Sequence, residues 1–268
     1  MTIIHCLGSG LVGSFVIKKL LDEKMNINLV DIEEKEKIND NDLLTIHVTD
    51  AIEYCKNTSN EDEIFVNMLP GSLGFHATEI LVSRGKKVVD LSFSEVTPDT
   101  LNKKAIDSGA KVLWDVGIAP GFSNMLIIYA SRFGGGISNA EIRVGGNPVE
   151  RDEKWSYMAP FSPKDVIAEY TRPARIIKSG KITTLPALSD IHKINVKQAG
   201  VMESFLTDGL RSLLSTISAD EMTEYTVRWP GHIQRYIDER DANVLDHEQL
   251  IEDWKFDKTR YEFTWMEV

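Results

Sequence analysis

Short apolar runs alternate with helix-length amphipathic stretches through the first half of the chain. Ile3–Leu7 reads as a strand, and Leu11–Lys24 as a helix, because Leu11, Val12, Phe15, Val16, Leu20 and Leu21 recur near a 3.6 period. Asn28–Ile32 and Leu43–Val48 read as strands, and Glu63–Leu69 as a strand running into Pro70-Gly71. Gly74–Gly85 reads as a helix closed by a glycine, a common C-terminal stop. Lys87–Phe93 (strand), Pro98–Ser108 (helix) and Lys111–Val116 (strand) continue the series. Such β-α repetition predicts a parallel sheet covered on both faces. The polar stretch Asp31 to Asp42 interrupts it and is expected to be a solvated loop.

The pattern changes after Pro120-Gly121. Ser123–Phe133 reads as a helix, and Gly134-Gly135-Gly136 marks a break. Beyond it, strand-like segments (Ala140–Val144, Ala174–Ser179, Thr223–Trp229, Arg260–Glu267) mix irregularly with helical ones (Pro163–Tyr170, Ser204–Ile217, Leu245–Trp254). The expected architecture is α/β: an N-terminal doubly wound parallel sheet over 1–122, then a mixed α+β domain over 123–268.

Composition narrows the function classes without choosing one. A chain of 268 residues with 42% hydrophobic and 26% charged residues is ordinary for a folded protein large enough for a sizeable core. The formal net charge of −11 argues against nucleic acid and anionic membrane as partners, since both need clustered Lys and Arg. The longest apolar runs are too short to cross a bilayer. The start of the chain shows no basic leader or cleavage signal, so the expected compartment is the cytoplasm. Cys6 and Cys55 give neither a disulfide framework nor metal-ligand spacing, and no metal is expected.

The first chemistry-bearing motif is Gly8-Ser9-Gly10-Leu11-Val12-Gly13, a G-x-G-x-x-G sequence between a predicted strand and a predicted helix. Gly8 permits the tight turn, Gly10 lets a pyrophosphate approach the backbone, and Gly13 lets helix and strand pack closely. The helix N-terminus offers N–H groups and a partial positive charge to phosphates. Asp31, at the end of the second strand, is placed to accept hydrogen bonds from the adenosine ribose and to repel a 2′-phosphate. With Glu33 and Glu34 beside it and no nearby Arg, the expected cofactor is NAD, with NADP less favoured. A flavin would use the same fingerprint.

The later clusters carry weaker signals. Asp115, in Asp115-Val116-Gly117-Ile118-Ala119-Pro120-Gly121, follows a strand, where open α/β sheets bind ligands; it serves equally as a turn or capping acid. Arg172 and Arg175 offer bidentate carboxylate recognition, or ordinary salt bridges. Thr207 or Asp208 is expected to cap the Ser204–Ile217 helix. Arg228 and His232 flank Pro230-Gly231 and either reach a site or simply pair with acids; His232 is a candidate base near neutral pH.

Taken in order, GSGLVG, LPGSLGFHATEILVSRGKKVVDLSF, DVGIAPGFSN, GGNP, FSPKDVIAEYTRPARIIKSGK, ESFLTDGLRSLL and TVRWPGH resemble the saccharopine dehydrogenase family, especially its lysine 6-dehydrogenase-like members. The resemblance implies a Rossmann-type N-terminal domain that binds NAD(P), and a second domain, built on a mixed sheet, that binds an amino-acid substrate and forms a homodimer. It implies that Pro70 and Gly71 lie beside the nicotinamide and that the DVGIAPG loop reaches the reaction centre. Condensing saccharopine reductases tend to read E-x-G-x-D-P-G at this loop. Asp115 and Ala119 depart from that pattern, which favours the lysine 6-dehydrogenase-like branch. Relatives commonly continue past the strand matched to Tyr261–Met266 into a segment that returns toward the nucleotide domain. The expectation is therefore a site that closes differently, is completed by the dimer, or is catalytically impaired.

The activity these features imply is NAD-dependent oxidation of an amino-acid CH–NH group, with the lysine side-chain amine as first choice. Hydride cannot leave readily from a carbon bearing an ammonium, so a base must first take a proton. Asp115 is the first candidate and His232 the second; Arg172, then Arg228, are the candidates for holding the substrate carboxylate. Two rivals use the same features: reductive condensation of the saccharopine or carboxyspermidine type, and a non-catalytic NAD-binding module.

Overall fold

The computed structural model describes residues 3–33, 41–59 and 63–268. The expected loop from Asp31 to Asp42 falls largely on 34–40, outside the described residues. The chain divides into two compact units, Met1–Gly117 and Ile118–Val268, so the division falls a few residues before the expected boundary at Phe122. The reason is local. The Ser123 N–H donates to the Ile118 carbonyl at 3.0 Å, and Asn124 Nδ2 donates to Ser212 Oγ at 2.8 Å. The Ala119-Pro120-Gly121 turn thus belongs to the second unit's first helix.

The first unit is a six-stranded parallel sheet. Its strands are β1 (Ile3–Leu7), β2 (Asn26–Asp31), β3 (Leu44–Val48), β4 (Ile64–Asn67), β5 (Lys87–Asp90) and β6 (Lys111–Trp114), in the order β3-β2-β1-β4-β5-β6. The helices are α1 (Leu11–Asp22), α2 (Ala51–Lys56), α3 (Gly71–Ser83) and α4 (Asn102–Ser108), the last preceded by a 3-10 turn over Pro98–Leu101. Helix α2 was not legible in the sequence; it is short, and its start is fixed by Asp50, whose carboxylate accepts from the Glu53 N–H at 2.9 Å. Two apolar clusters form the core. One joins Leu7, Phe65 and Val88 to Ala77 and Leu81, and the other joins Cys6, Leu29 and Val66 to Ile17. β1 and β4 therefore bury side chains on alternate faces, which explains their near-continuous apolar runs.

The second unit is built on a mixed sheet ordered β10-β11-β12-β7-β13, with a β8–β9 hairpin attached through β12. The strands are β7 (Asn139–Pro148), β8 (Ala174–Lys178), β9 (Lys181–Leu185), β10 (His192–Val196), β11 (Gly200–Leu206), β12 (Glu221–Arg228) and β13 (Glu262–Glu267). Helices α5 (Phe122–Ser131), α6 (Pro163–Thr171), α7 (Leu213–Thr216), α8 (His232–Asp241) and α9 (His247–Asp253) accompany it. β12 pairs parallel with β7 and antiparallel with β11. The main core is aromatic, with Trp155, Tyr157, Tyr170, Phe205, Tyr236 and Trp254 in one cluster.

The helix expected over Ser204–Ile217 is not formed. Glu203 to Leu206 pair with Arg228 to Tyr225 as the end of β11, and only Leu213–Thr216 is helical. Sheet pairing overrides the apolar spacing there. Thr207 and Asp208 accordingly cap no helix. Thr207 Oγ1 bonds the Glu224 carboxylate, and Asp208 takes a bidentate pair from Arg175 at 2.7 and 2.8 Å.

Candidate functional site

The strand order reverses between β1 and β4, and open α/β sheets bind their ligands in the crevice at that point. Here the glycine loop lies between β1 and α1, and Pro70 and Gly71 lie between β4 and α3. Gly8 adopts φ +88°, a conformation that favours glycine. A Cβ on Gly13 would strike the Gly8 carbonyl oxygen, so close helix–strand contact requires that residue to be glycine. A Cβ on Gly10 would meet nothing within 4 Å; the space before it is open. Helices α1 and α3 both begin without a side-chain cap and without an acid in the first turn. Their N-terminal N–H groups and dipoles remain suited to an anion. Leu11 and Val12 in the first turn of α1, like Leu73 in that of α3, are exposed.

Asp31 closes β2. Its Oδ2 accepts from the Ser9 N–H at 2.9 Å and the Ser9 hydroxyl at 2.5 Å, and its Oδ1 accepts from the Glu33 N–H at 3.1 Å. The acid thus braces the glycine loop. Open cradle, uncapped helix start and strand-end acid together fit a dinucleotide.

A buried network below Pro70 went unread in the sequence. Asn67 Nδ2 donates to the Gly74 carbonyl at 2.8 Å and to Thr78 Oγ1 at 3.0 Å, and the Leu69 N–H donates back to Asn67 Oδ1 at 3.3 Å. Asp90 accepts from Thr78 Oγ1 and Ser92 Oγ, each at 2.6 Å. These groups fix the two strand ends that flank Pro70-Gly71. Asp115 follows β6 directly, half-buried, with φ +55°.

In the second unit the structure brings Arg228 and His232 together. Arg228 Nε donates to Tyr170 Oη at 2.8 Å, and Tyr170 Oη stands 2.8 Å from His232 Nε2. His232 Nδ1 lies 2.8 Å from the Trp155 carbonyl. A carbonyl only accepts, so Nδ1 carries the proton and Nε2 accepts from Tyr170. The ring is buried among Trp155, Tyr157, Tyr170 and Trp254. Burial, aided by the Arg228 charge, pushes its pKa down to about 3. This placement contradicts the expected base role: His232 has both nitrogens engaged, is closed to solvent, and is a poor proton acceptor near neutral pH.

Arg228 is only 3% exposed and has a carboxylate of its own. Nη2 pairs with Glu169 Oε2 at 2.7 Å and reaches Tyr157 Oη at 3.3 Å, while Nη1 donates to the Val227 carbonyl at 3.1 Å. The guanidinium sits 4.4 Å from the Tyr157 ring centroid. Arg172 terminates α6 half-buried, close enough for its charge to act on Glu169. Burial nevertheless raises the Glu169 pKa.

Glu224, Thr226 and Arg228 alternate along β12, so they share one face of the sheet. Glu224 is buried, bonded to Thr207, and faces the charges of Glu169 and Asp208; burial, with those neighbours, pushes its pKa up to about 8. The alternation in Glu224-Tyr225-Thr226-Val227-Arg228 was the available signal for this polar line. Among the described residues, no group of three or more His, Cys, Asp or Glu side chains is placed to hold a metal ion. No helix among them is long and apolar enough to cross a membrane.

A parallel sheet in this strand order, with a glycine loop at the switch point, defines a dinucleotide-binding fold of the dehydrogenase type. Residues 117–266 match the family model of the saccharopine dehydrogenase C-terminal domain, and the chain belongs to the saccharopine dehydrogenase family. It is 27% identical over 190 residues to the mitochondrial alpha-aminoadipic semialdehyde synthase of Bos taurus, an alignment covering 66% of this chain and 20% of that protein. Among solved structures it is similar to apo saccharopine dehydrogenase (L-Glu forming) of Saccharomyces cerevisiae. The TM-score is 0.66 at 17% identity, over 91% of this chain and 58% of that one. It is also similar to the WlbA dehydrogenase of Thermus thermophilus in complex with NAD and UDP-GlcNAcA, with a TM-score of 0.46 at 11% identity over 90% of this chain and 78% of that one. The chain therefore spans about a fifth of the bovine synthase and little more than half of the yeast enzyme.

Proposed function

We propose that the chain is an NAD-dependent oxidoreductase acting on a CH–NH group of an amino acid, with the side-chain nitrogen of lysine as first choice. The observation that carries the reading is the open glycine cradle closed by Asp31, in a chain whose second unit belongs to the saccharopine dehydrogenase family. Gly8–Gly13 and the start of α1 would hold the pyrophosphate, Asp31 the adenosine ribose, and Pro70-Gly71 the nicotinamide side of the crevice. NAD, when bound, supplies the hydride acceptor.

The remaining work falls to side chains. The reacting amine must lose a proton before its carbon yields hydride, and Asp115 at the end of β6 is the proposed base. Arg172 is the proposed anchor for the substrate carboxylate, because it combines partial exposure with a place beside the buried Glu169–Arg228 pair. Tyr170 and His232 hold Arg228, and through it the sheet face on which that pair lies.

A second reading is favoured by the family and by the name of the yeast structure, saccharopine dehydrogenase (L-Glu forming): oxidation of a secondary amine in which the lysine nitrogen carries a second amino acid. Purified chain incubated with NAD, and with lysine or saccharopine in separate reactions, tests both readings. Ammonia release from lysine supports the first, and glutamate release from saccharopine supports the second. NAD binding without NADH formation from either leaves a binding module as the surviving account.

A further inference from the structure

Two acids of the second unit are joined by a line of hydroxyl groups. Thr207 Oγ1 bonds Glu224 Oε2, Thr207 Oγ1 stands 3.0 Å from Thr226 Oγ1, and the Thr226 hydroxyl bonds the Glu169 carboxyl. Glu224, Thr207 and Thr226 are buried, while the Glu169 side chain is 13% exposed. A Cβ on Gly209 would strike the Glu224 carboxyl, so that group packs directly on backbone, and the Gly209 N–H donates to it.

Counting protons defines the state of this line. A threonine hydroxyl donates one hydrogen bond and also accepts. Two threonines thus supply two protons for three contacts. With both acids ionised, Thr207 turns to Glu224 and Thr226 to Glu169, and the 3.0 Å contact between the hydroxyls holds no proton. One carboxyl proton completes the line. Charge selects its place. Arg228 Nη2 meets Glu169 Oε2 at 2.7 Å and favours the carboxylate there. Glu224 instead faces the negative charges of Glu169 on α6 and of Asp208, and Asp208 already spends its own pairing on Arg175 of β8.

We propose that Glu224, Thr207, Thr226 and Glu169 form a proton relay, in which Glu224 stores the proton and Glu169 is the end that exchanges it with solvent. Loading begins when the Glu169 carboxylate takes a proton from hydronium. Glu169 then passes a proton to Thr226, Thr226 passes its own to Thr207, and Thr207 passes its own to Glu224. Each O–H bond broken is matched by one formed, and Glu169 returns to the carboxylate that meets Arg228. Unloading runs the same steps in reverse. A buried acid thereby titrates without opening of the fold, and the charge on the sheet face that carries Arg228 follows the pH outside.

The test is the carbonyl band of a protonated carboxyl in the infrared spectrum of the full chain, titrated upward from mildly acid pH. Wild type is expected to show a band that is lost near pH 8 and is absent from Glu224→Gln. Thr226→Val keeps the side-chain shape but removes the acceptor that Thr207 uses only while Glu224 is protonated. Its midpoint is therefore expected to fall by about one pH unit, the equivalent of one hydrogen bond. Thr226→Ser restores the hydroxyl and is expected to return the midpoint to wild type. An isolated buried acid behaves otherwise: exchanging a nearby hydroxyl for a methyl leaves its midpoint unchanged or raises it. Circular dichroism checks that each variant is folded. The proposal is overturned by the absence of a Glu224-dependent band, by an unchanged or raised midpoint in Thr226→Val, or by a Thr226→Ser midpoint that stays with the valine variant. No cofactor enters the measurement, so its failure leaves the cofactor reading untouched.

Discussion

The hydroxyl of Tyr170 lies 2.8 Å from Nε2 of His232, and that contact fixes the state of both groups. Tyr170 donates, so Nε2 is unprotonated, and the imidazole is held neutral between Tyr170 and the Trp155 carbonyl. Protonation would break the bond from Tyr170 and place a second cation near Arg228. The triad is therefore a brace, and its use is to orient the guanidinium that meets Glu169.

This brace makes stability depend on pH. The folded pKa of His232, about 3, lies below the ordinary histidine value of 6.5 expected in the unfolded chain, so the unfolded chain binds the proton more readily. The contribution is complete above about pH 6.5 and is lost progressively as pH falls toward 3. Between pH 7 and pH 5 the loss from this group is about 2 kcal/mol. Denaturant unfolding of wild type and His232→Gln across that range is expected to show a flatter dependence in the variant.

Glu224 acts in the opposite direction. Its folded pKa of about 8 lies above the ordinary glutamate value of 4.5, so it is protonated when folded and ionised when unfolded at neutral pH. Its cost grows as pH rises from about 4.5 toward 8. Glu224→Gln keeps the shape and the link to Thr207 while removing the ionisation. Urea unfolding is expected to show a gain on the order of 4 kcal/mol at pH 7.5 and almost none at pH 4.5.

Two glycines of the nucleotide loop separate folding from binding. Gly13→Ala places a methyl against the Gly8 carbonyl and is expected to destabilise the protein by about 1–3 kcal/mol. Gly10→Ala places its methyl in open space. Its melting temperature is expected to stay near wild type while NADH affinity, followed by fluorescence titration, falls at least tenfold. Normal affinity in Gly10→Ala would remove the pyrophosphate from this loop.

Asp31 carries the cofactor preference. Asp31→Asn removes the charge that repels a 2′-phosphate and weakens the acceptor offered to the ribose. Titrations with NADH and NADPH are expected to show about tenfold weaker NADH binding and a narrowed ratio between the two. Because Asp31 also accepts from Ser9, Asp31→Ala is expected to loosen the loop as well, lowering affinity for both cofactors.

The first unit was readable because its signals are local. A strand buried on both faces is a run of apolar residues, as in Ile3–Leu7, and a glycine that must sit against a carbonyl is visible as Gly13. The second unit was readable only in part, because its determinants are distant in sequence. Ser204 to Leu206 has helical spacing, yet it is held as strand by Tyr225 to Val227. Helix α8 was hidden because its charged residues obscure a stripe of only Ile233, Tyr236 and Ile237. His232 looked like an accessible base beside a turn, and only the fold supplies the aromatic walls and the Tyr170 hydroxyl that engage it. Glu169 stood next to two arginines in the sequence, but its partner is Arg228, 59 positions away.

The central claim is that hydride leaves a carbon bearing an amino-acid nitrogen. The most direct measurement uses lysine deuterated at the side-chain carbon attached to nitrogen, incubated with the purified chain and NAD, with the recovered nucleotide analysed by mass spectrometry. The account predicts NADH carrying one deuterium, formed in proportion to the ammonia released. Unlabelled NADH, or no NADH from a chain that binds NAD, would contradict it.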